Sequence, residues 1–254
     1  MVKGVPEALR AFFAAHPKLA LAFSGGTDSA YLLYAATACG CDVTAYCVKS
    51  AFQPSFETED ARRLAEALGA RLKVLGLDAL ADPAVRANPA DRCYHCKRHI
   101  FSALLAASRA DGYDALMDGT NASDDAGDRP GMRALEELDV LSPLRLCGVT
   151  KAQVRAYSRE AGLFTWDKPA YACLATRVPA GEPITEDVLR RVEGAESALF
   201  ALGFTDFRAR VFHGAARLQL PAAQVEDAAR RRGELREALK PWFDTIFIDT
   251  EDRG

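Results

Sequence analysis

Runs of apolar residues and the breaks between them divide the chain into two patterns. In the first, short apolar runs alternate with helical periodicity. KLALAF (18–23) is stopped by SGG, and an Ala/Leu/Tyr-rich helical segment starts near Thr27. DVTAYCV (42–48) predicts a second strand, FETEDARRLAEALG (56–69) a helix closed by Gly69, and RLKVLGL (71–77) a third strand. A helix over Tyr94–Ala107 precedes a strand at DALMDG (114–119). After a loop come RALEEL (133–138), a short strand VLSPL (140–144), and a helix from Thr150 to Ala161 ended by Gly162. Strands alternating with helices imply right-handed crossovers, hence an α/β fold with a mainly parallel sheet of about five strands.

The second pattern follows the Pro/Gly-containing link VPAGEP (178–183). A helix (185–203), strand candidates at FRARVF and ARLQL, a helix (221–239) and a strand FDTIFIDT (243–250) give the order α-β-β-α-β. The expected organisation is therefore a domain over 1–177 and a small α+β appendage over 178–254. No internal repeat or low-complexity tract is evident.

Composition narrows the class. The chain has 254 residues, 49% hydrophobic and 26% charged, as expected of a soluble globular protein. A net charge of −3 argues against a dedicated nucleic-acid binder. The Arg-rich stretch DAARRRGELREALK (227–240) mixes Glu with Arg at helical spacing and reads as a solvated helix face. At the N-terminus, Glu7 and Arg10 interrupt the apolar stretch, and no small-residue cleavage pattern follows, so it does not read as a secretory signal. No window approaches the ~18 apolar residues of a membrane span. A cytoplasmic location is expected, where thiols stay reduced and an odd count of seven Cys is ordinary.

The stretch with most chemistry is LALAFSGGTDSAYLLY (19–34), a buried strand that runs through a Gly pair into a helix start. A helix N-terminus offers unpaired N–H groups and a positive partial charge, so it attracts an anion. Gly25 and Gly26 let the backbone approach phosphate oxygens, and Ser24, Thr27 and Ser29 add hydroxyl donors. Asp28 can brace the turn or meet a phosphate-bound Mg²⁺. The competing interpretation is an ordinary Gly turn with an Asp/Ser cap. The strand–turn–helix context favours the phosphate. The loop is not of Walker A type, because no lysine follows to reach the terminal phosphates, and it lacks GxGxxG spacing.

SGGTDS resembles the signature of the PP-loop, or N-type, ATP pyrophosphatases, which have an adenine nucleotide alpha hydrolase-like fold. The resemblance implies a doubly wound sheet with ATP at the carboxyl ends of its strands, and cleavage of ATP between the α and β phosphates to adenylate an acceptor. DGTN (118–121) ends the fourth predicted strand, where a ligand-facing loop belongs. The ATP-binding set implied is Ser24, Gly25, Gly26, Thr27, Asp28, Ser29, Ser50, Asp118, Gly119 and Thr120, with Mg²⁺ at Asp28.

Further stretches resemble one family along nearly the whole chain. They are DRCYHCK (91–97), DRPGMRALEEL (128–138), SPL (142–144), TKAQVRAYSREAGLFTWDKPAYACLATR (150–177) and FRARVFHGAARLQL (207–220). This series is similar to the LarE family, which transfers sulfur in making the nickel-pincer nucleotide. The resemblance implies a pyridinium-3,5-dicarboxylate mononucleotide as substrate. Each carboxylate is adenylated by ATP and then converted to a thiocarboxylate with release of AMP. Arg177, Arg208 and Arg210 suit a substrate bearing carboxylates and a phosphate, since guanidinium meets both in bidentate fashion. An exposed strand face is the other reading for Arg208 and Arg210, whose spacing puts them on one side in either case.

Cys173 matches the family position that supplies sulfur. Some members use that cysteine sacrificially, leaving dehydroalanine. Others carry two more cysteines and hold a [4Fe–4S] cluster on three thiolates, with one iron open to an extra sulfide. Cys93, Cys96 and Cys173 fit the three-cysteine pattern, Cys93 and Cys96 being expected in a loop after the third strand. Zinc on these three with His95 or His99 stays an alternative, as does a sacrificial Cys173 without cluster. Cys39, Cys41, Cys47 and Cys147 read as small buried hydrophobes, and His16 and His213 as single histidines outside any site.

Three other functions compete, one of them a non-enzymatic, ATP-sensing module. A tRNA thiolase shares the ATP loop but needs a basic track for RNA, and none is evident. An ammonia-delivering ligase needs no cysteine trio. The resemblance leaves a homo-oligomer open and implies a downstream nickel-inserting enzyme as partner; neither a membrane nor a nucleic acid is expected.

Overall fold

A computed structural model describes residues 2–124 and 129–251. Asp128, which opens the DRPGMRALEEL stretch, lies outside them. By packing, the chain divides into two compact units, Met1–Ala79 with Asp91–Ala170, and Leu80–Ala90 with Tyr171–Gly254. The expected boundary lay at 177/178; packing places it at Ala170/Tyr171 and adds an 11-residue excursion from the first half to the second unit.

The first unit is built on four strands, β1 (Lys18–Ala22), β2 (Asp42–Lys49), β3 (Arg71–Gly76) and β4 (Leu116–Met117). They are all parallel, in the order β3-β2-β1-β4. Alternation of side chains explains why the runs read as uniformly apolar. Leu19, Leu21, Val43, Ala45 and Cys47 enter one core, and Ala20, Tyr46 and Val48 enter another. The first core also takes apolar residues from α1 (Glu7–Ala15), α2 (Thr27–Ala38), α3 (Ser55–Ala67) and α8 (Lys151–Glu160). The second takes Leu104 and Leu105 from α5 (Arg92–Ala110). Helices cover both faces, so the α/β, doubly wound expectation holds.

The fifth expected strand is reduced to one parallel bridge, Met117 to Leu141. Leu141 exchanges two bonds with its neighbours, its N–H reaching the Leu116 carbonyl at 2.9 Å and its carbonyl accepting from Asp118 N–H at 2.8 Å. Ser142 then leads into the short helix α7 (Pro143–Leu146), and proline at the first helical position ends strand pairing. Helix α5 starts at Arg92, so Cys93 and Cys96 stand on its first turns and not in a loop. The helix α6 (Arg129–Glu137) packs against α5.

The second unit contains α4 (Pro83–Arg86), α9 (Glu186–Ala201), and a sheet of β5 (Arg208–Phe212), β6 (Ala215–Gln219) and β7 (Ile246–Ile248). β5 and β6 are antiparallel, and β6 and β7 parallel. His213 and Gly214 join the first pair, both at positive φ (49° and 79°), the geometry of a tight hairpin turn. The predicted helix over 221–239 is two, α10 (Ala222–Arg230) and α11 (Arg232–Leu239), separated at Arg231. Leu80–Ala90 belongs here through Asn88, whose side-chain amide donates to the carbonyls of Pro179 (2.8 Å) and Glu182 (3.1 Å). Its own carbonyl accepts from Gly181 N–H at 2.8 Å. No described helix is long and apolar enough to cross a membrane.

Candidate active site

The turn between β1 and α2 is fixed by its glycines. Gly25 sits at φ +72°, and a Cβ there would lie 3.1 Å from the Glu57 carbonyl and 3.2 Å from Ala61. Gly26 is the residue before the helix, leaving the N–H groups of the first α2 turn pointing past the end of β1. Ser24 Oγ accepts from Gly26 N–H at 3.3 Å and lies 3.1 Å from Ser29 Oγ, while Ser29 Oγ donates to the Gly26 carbonyl at 3.2 Å. Thr27 turns away from the loop, its hydroxyl donating to the Thr165 carbonyl at 2.9 Å. Gly119 closes the far side: a Cβ there would meet Ser29 N at 3.0 Å and the Asp28 Cβ at 3.3 Å.

A cavity of about 360 Å³ opens on this turn. Its polar wall is Ser24, Gly26, Asp28, Ser29, Asp118, Gly119, Thr120 and Asp124. Its apolar wall includes Tyr46, Val48, Ile100, Phe101 and Leu104. One end is suited to an anion and the other to a flat apolar ring. Gly25 and Thr27 shape the turn without lining the cavity. Ser50 does not line it either; its hydroxyl donates at 2.6 Å to Gln53 Oε1, and Gln53 does.

Two carboxylates dominate the electrostatics. Burial pushes the Asp118 carboxyl above its usual range, against hydrogen bonds from Thr120 and Ser142 (2.7 Å from Ser142). Burial also raises Asp28, opposed by an ion pair with Lys151. Asn121 donates to Asp28 at 3.4 Å, and the nearby Asp124 adds negative charge.

Cys93 and Cys96 are three residues apart on α5, on neighbouring positions of one face, and partly exposed. One turn beyond Cys96, His99 has its Nε2 buried with no hydrogen-bond partner. The paired thiols are of the donor type that iron–sulfur and zinc sites take. Among the described residues, no three His, Cys, Asp or Glu side chains already form a metal-holding group. No disulfide joins any of the seven cysteines. Cys41 and Cys47 have thiols pushed up to about 11, chiefly by burial, so at neutral pH they are protonated and inert.

Cys173 belongs to the second unit, where it precedes the tight turn Leu174–Arg177. Arg177 is only 1% exposed, and its guanidinium faces inward. Nε and Nη2 donate to the two oxygens of Glu196 at 2.8 and 3.1 Å. Nη1 donates to the carbonyls of Ala172 (2.9 Å) and Cys173 (3.4 Å). Glu196 also accepts from Ala209 N–H at 2.9 Å and from the Tyr171 hydroxyl. Arg177 and Arg208 both lie over the Tyr171 ring, 4.8 and 5.2 Å from its centroid. Arg208 is buried and donates to the Phe207 carbonyl, and Arg210 donates to the Thr176 carbonyl, both at 2.6 Å. Arg177 and Arg210 thus bond the backbone between residues 172 and 176, Glu196 is the counter-charge of Arg177, and Arg208 lies over the Tyr171 ring.

Sequence reasoning missed Glu196 and Tyr171, which hold this loop, and Lys151 and Lys168, which reach the glycine turn. A glutamate in an amphipathic helix carries no local sign of burial. The sign available for Tyr171 was its place in PAYACLATR, two residues before the cysteine.

No family model matches the chain. An uncharacterized protein of Synechocystis sp. is 36% identical across 99% of this chain and 95% of its own. The pyridinium-3,5-bisthiocarboxylic acid mononucleotide synthase of Lactiplantibacillus plantarum is 35% identical across 83% of this chain and 77% of its own. An uncharacterized protein of Methanocaldococcus jannaschii is 28% identical across 91% and 86%, respectively.

Proposed function

This chain belongs to the LarE family of pyridinium-3,5-bisthiocarboxylic acid mononucleotide synthases, and from that premise we propose that it is an ATP-dependent sulfur transferase. Its substrate is pyridinium-3,5-biscarboxylic acid mononucleotide, and both carboxylates become thiocarboxylates. The observation that carries the ATP dependence is the glycine turn with its apolar-walled cavity, a place for a triphosphate at one end and a base at the other.

A substrate carboxylate oxygen attacks the α-phosphorus, the α–β bond breaks, and its electron pair leaves on pyrophosphate. The acyl adenylate then has AMP as a good leaving group, so a sulfur nucleophile can attack the carbonyl carbon. In this reading the first-turn N–H groups of α2 hold phosphate oxygens, and Tyr46 and Phe101 flank the base. Asp28 meets Mg²⁺. Arg177 and Glu196 fix the carbonyls on either side of the Cys173 Cα, so the thiol is presented from a tied loop. Arg208 and Arg210 supply positive charge for the substrate's phosphate and carboxylates.

The sulfur would be supplied by a [4Fe–4S] cluster on three cysteines or by Cys173 itself. Thiolates are the donors that such a cluster takes, and Cys93, Cys96 and Cys173 would be the three that hold it. When bound, such a cluster offers an iron without a protein ligand, able to carry an extra sulfide. If no cluster forms, Cys173 gives up its own sulfur and becomes dehydroalanine.

The test is anaerobic turnover of the biscarboxylic mononucleotide with Mg-ATP and sulfide, reading pyrophosphate, AMP and thiocarboxylate. Product formation in step with pyrophosphate is expected. Pyrophosphate only in the presence of tRNA, or full activity of Cys173→Ala with ammonia, would replace this reading with one of its rivals. Iron and acid-labile sulfide near about four each per chain, lost in Cys93→Ala, identify the cluster route. No iron, with loss of one H₂S from the intact mass after turnover, identifies the sacrificial route.

A further inference from the structure

A Walker-type loop carries its lysine within the loop, and SGGTDS has none. The fold brings two lysines to it from far downstream. Lys151 Nζ pairs with Asp28 across 123 residues of chain. Lys168 Nζ lies 3.5 Å from the Gly25 carbonyl, 143 residues earlier in sequence, and 2.7 Å from Asp60 Oδ2.

Neither lysine is placed casually. Lys151 opens α8, whose start is fixed by reciprocal bonds between Thr150 and Gln153, and its own N–H donates to Ser123 Oγ at 3.1 Å. Lys168 sits on a strap tied from two sides. Arg155 donates to the carbonyls of Trp166 and Lys168, each at 3.0 Å, and Thr27 of the loop itself donates to the Thr165 carbonyl at 2.9 Å. The ammonium groups therefore flank the turn, one beside Asp28 in the first helical turn and one beside Gly25. Each is held by a carboxylate in a pair that is partly exposed, with side-chain exposures of 34% and 23% for Lys151 and Asp28, and 17% and 28% for Lys168 and Asp60. Such pairs stabilise a fold little and exchange readily. The turn otherwise attracts anions, so an acidic Asp28 there calls for a cation, and Mg-ATP brings both a polyanion and a cation.

We propose that Lys151 and Lys168 together do the work of the missing loop lysine, binding the β- and γ-phosphates of ATP. Lys151 exchanges Asp28 for a phosphate oxygen and so releases that carboxylate to the magnesium ion. When the α–β bond breaks, the charge that develops on pyrophosphate meets both ammonium groups. This rests on the ATP reading of the turn and adds the residues that hold its leaving group.

The test is calorimetric titration of the full chain with Mg-ATP, AMP and magnesium pyrophosphate, on wild type, Lys151→Met, Lys168→Met and Lys151→Arg. Each Met variant should weaken ATP and pyrophosphate by about tenfold to a hundredfold, leave AMP within about twofold, and melt like the wild type. Lys151→Arg, which keeps the charge, should retain most of the affinity. Unchanged ATP and pyrophosphate affinity in both Met variants overturns the lysine assignment. So does an equal loss for AMP, which would mean a distorted turn. A wild type that binds neither ATP nor AMP overturns the nucleotide reading itself.

Discussion

At the glycine turn the shape of the site is set by the backbone, whose N–H groups are exposed by two glycines and the start of α2. Around Cys173 the polar groups are side chains drawn from Tyr171, Arg177, Glu196, Arg208 and Arg210, and most of their bonds run inward to one another and to the loop. A backbone site is rigid because the chain has no other way to turn. A side-chain site is rigid only as long as every partner is present. The two regions should therefore fail differently: the turn by losing ligand affinity in a folded protein, the Cys173 loop by losing stability.

The largest effect is expected at Glu196. Removing it leaves the buried Arg177 charge without its counter-ion, which costs about 3–5 kcal/mol. Urea unfolding of Glu196→Ala should show that loss, and Glu196→Gln a smaller one. If Glu196→Ala unfolds like the wild type, the loop is not held as described. The next effect is catalytic. Gly25→Ala forces a Cβ into the Glu57–Ala61 backbone at positive φ, displacing the loop. ATP-driven pyrophosphate release should fall on the order of 100-fold while the protein still folds. A variant that keeps wild-type turnover would sever the turn from the chemistry.

A third contrast is in pH. Asp118 has its folded pKa raised above the ordinary 3.8 by burial, so its ionised form is disfavoured in the fold. It contributes stability below that ordinary value and loses it as pH rises from about 4 through the raised folded value. Asp118→Asn should flatten this slope, so the variant's urea midpoint should gain on the wild type between about pH 4 and pH 7. The smallest effect is at Asp249. Burial alone would raise its carboxyl, but hydrogen bonds from Arg217, Glu251 N–H and Gln219 hold it below the usual range. Its contribution is present above about pH 4 and lost as pH falls through the lowered folded value. Asp249→Asn should cost less than about 1 kcal/mol at pH 7, read from the same unfolding curves.

The contrast also explains what the sequence showed. The turn was legible because all its determinants lie within SGGTDS and its flanking runs. The parallel sheet was legible because buried strands read as apolar runs between helices. The fifth strand was not, since Pro143 shortens it to a bridge that only β4 completes. Helix α5 was placed too late, because DRCYHCK lacks the apolar periodicity that marks helices. Glu196, Lys151 and Lys168 were invisible because their partners lie 13 to 143 residues away, a separation that only the fold closes.

The central claim is that a carboxylate oxygen of the substrate attacks ATP held at the glycine turn. The direct measurement is turnover of substrate labelled with ¹⁸O in its carboxylates, followed by mass analysis of AMP and pyrophosphate. Adenylation predicts one labelled oxygen in AMP for each thiocarboxylate formed and none in pyrophosphate. Label in pyrophosphate or inorganic phosphate, with unlabelled AMP, would contradict it.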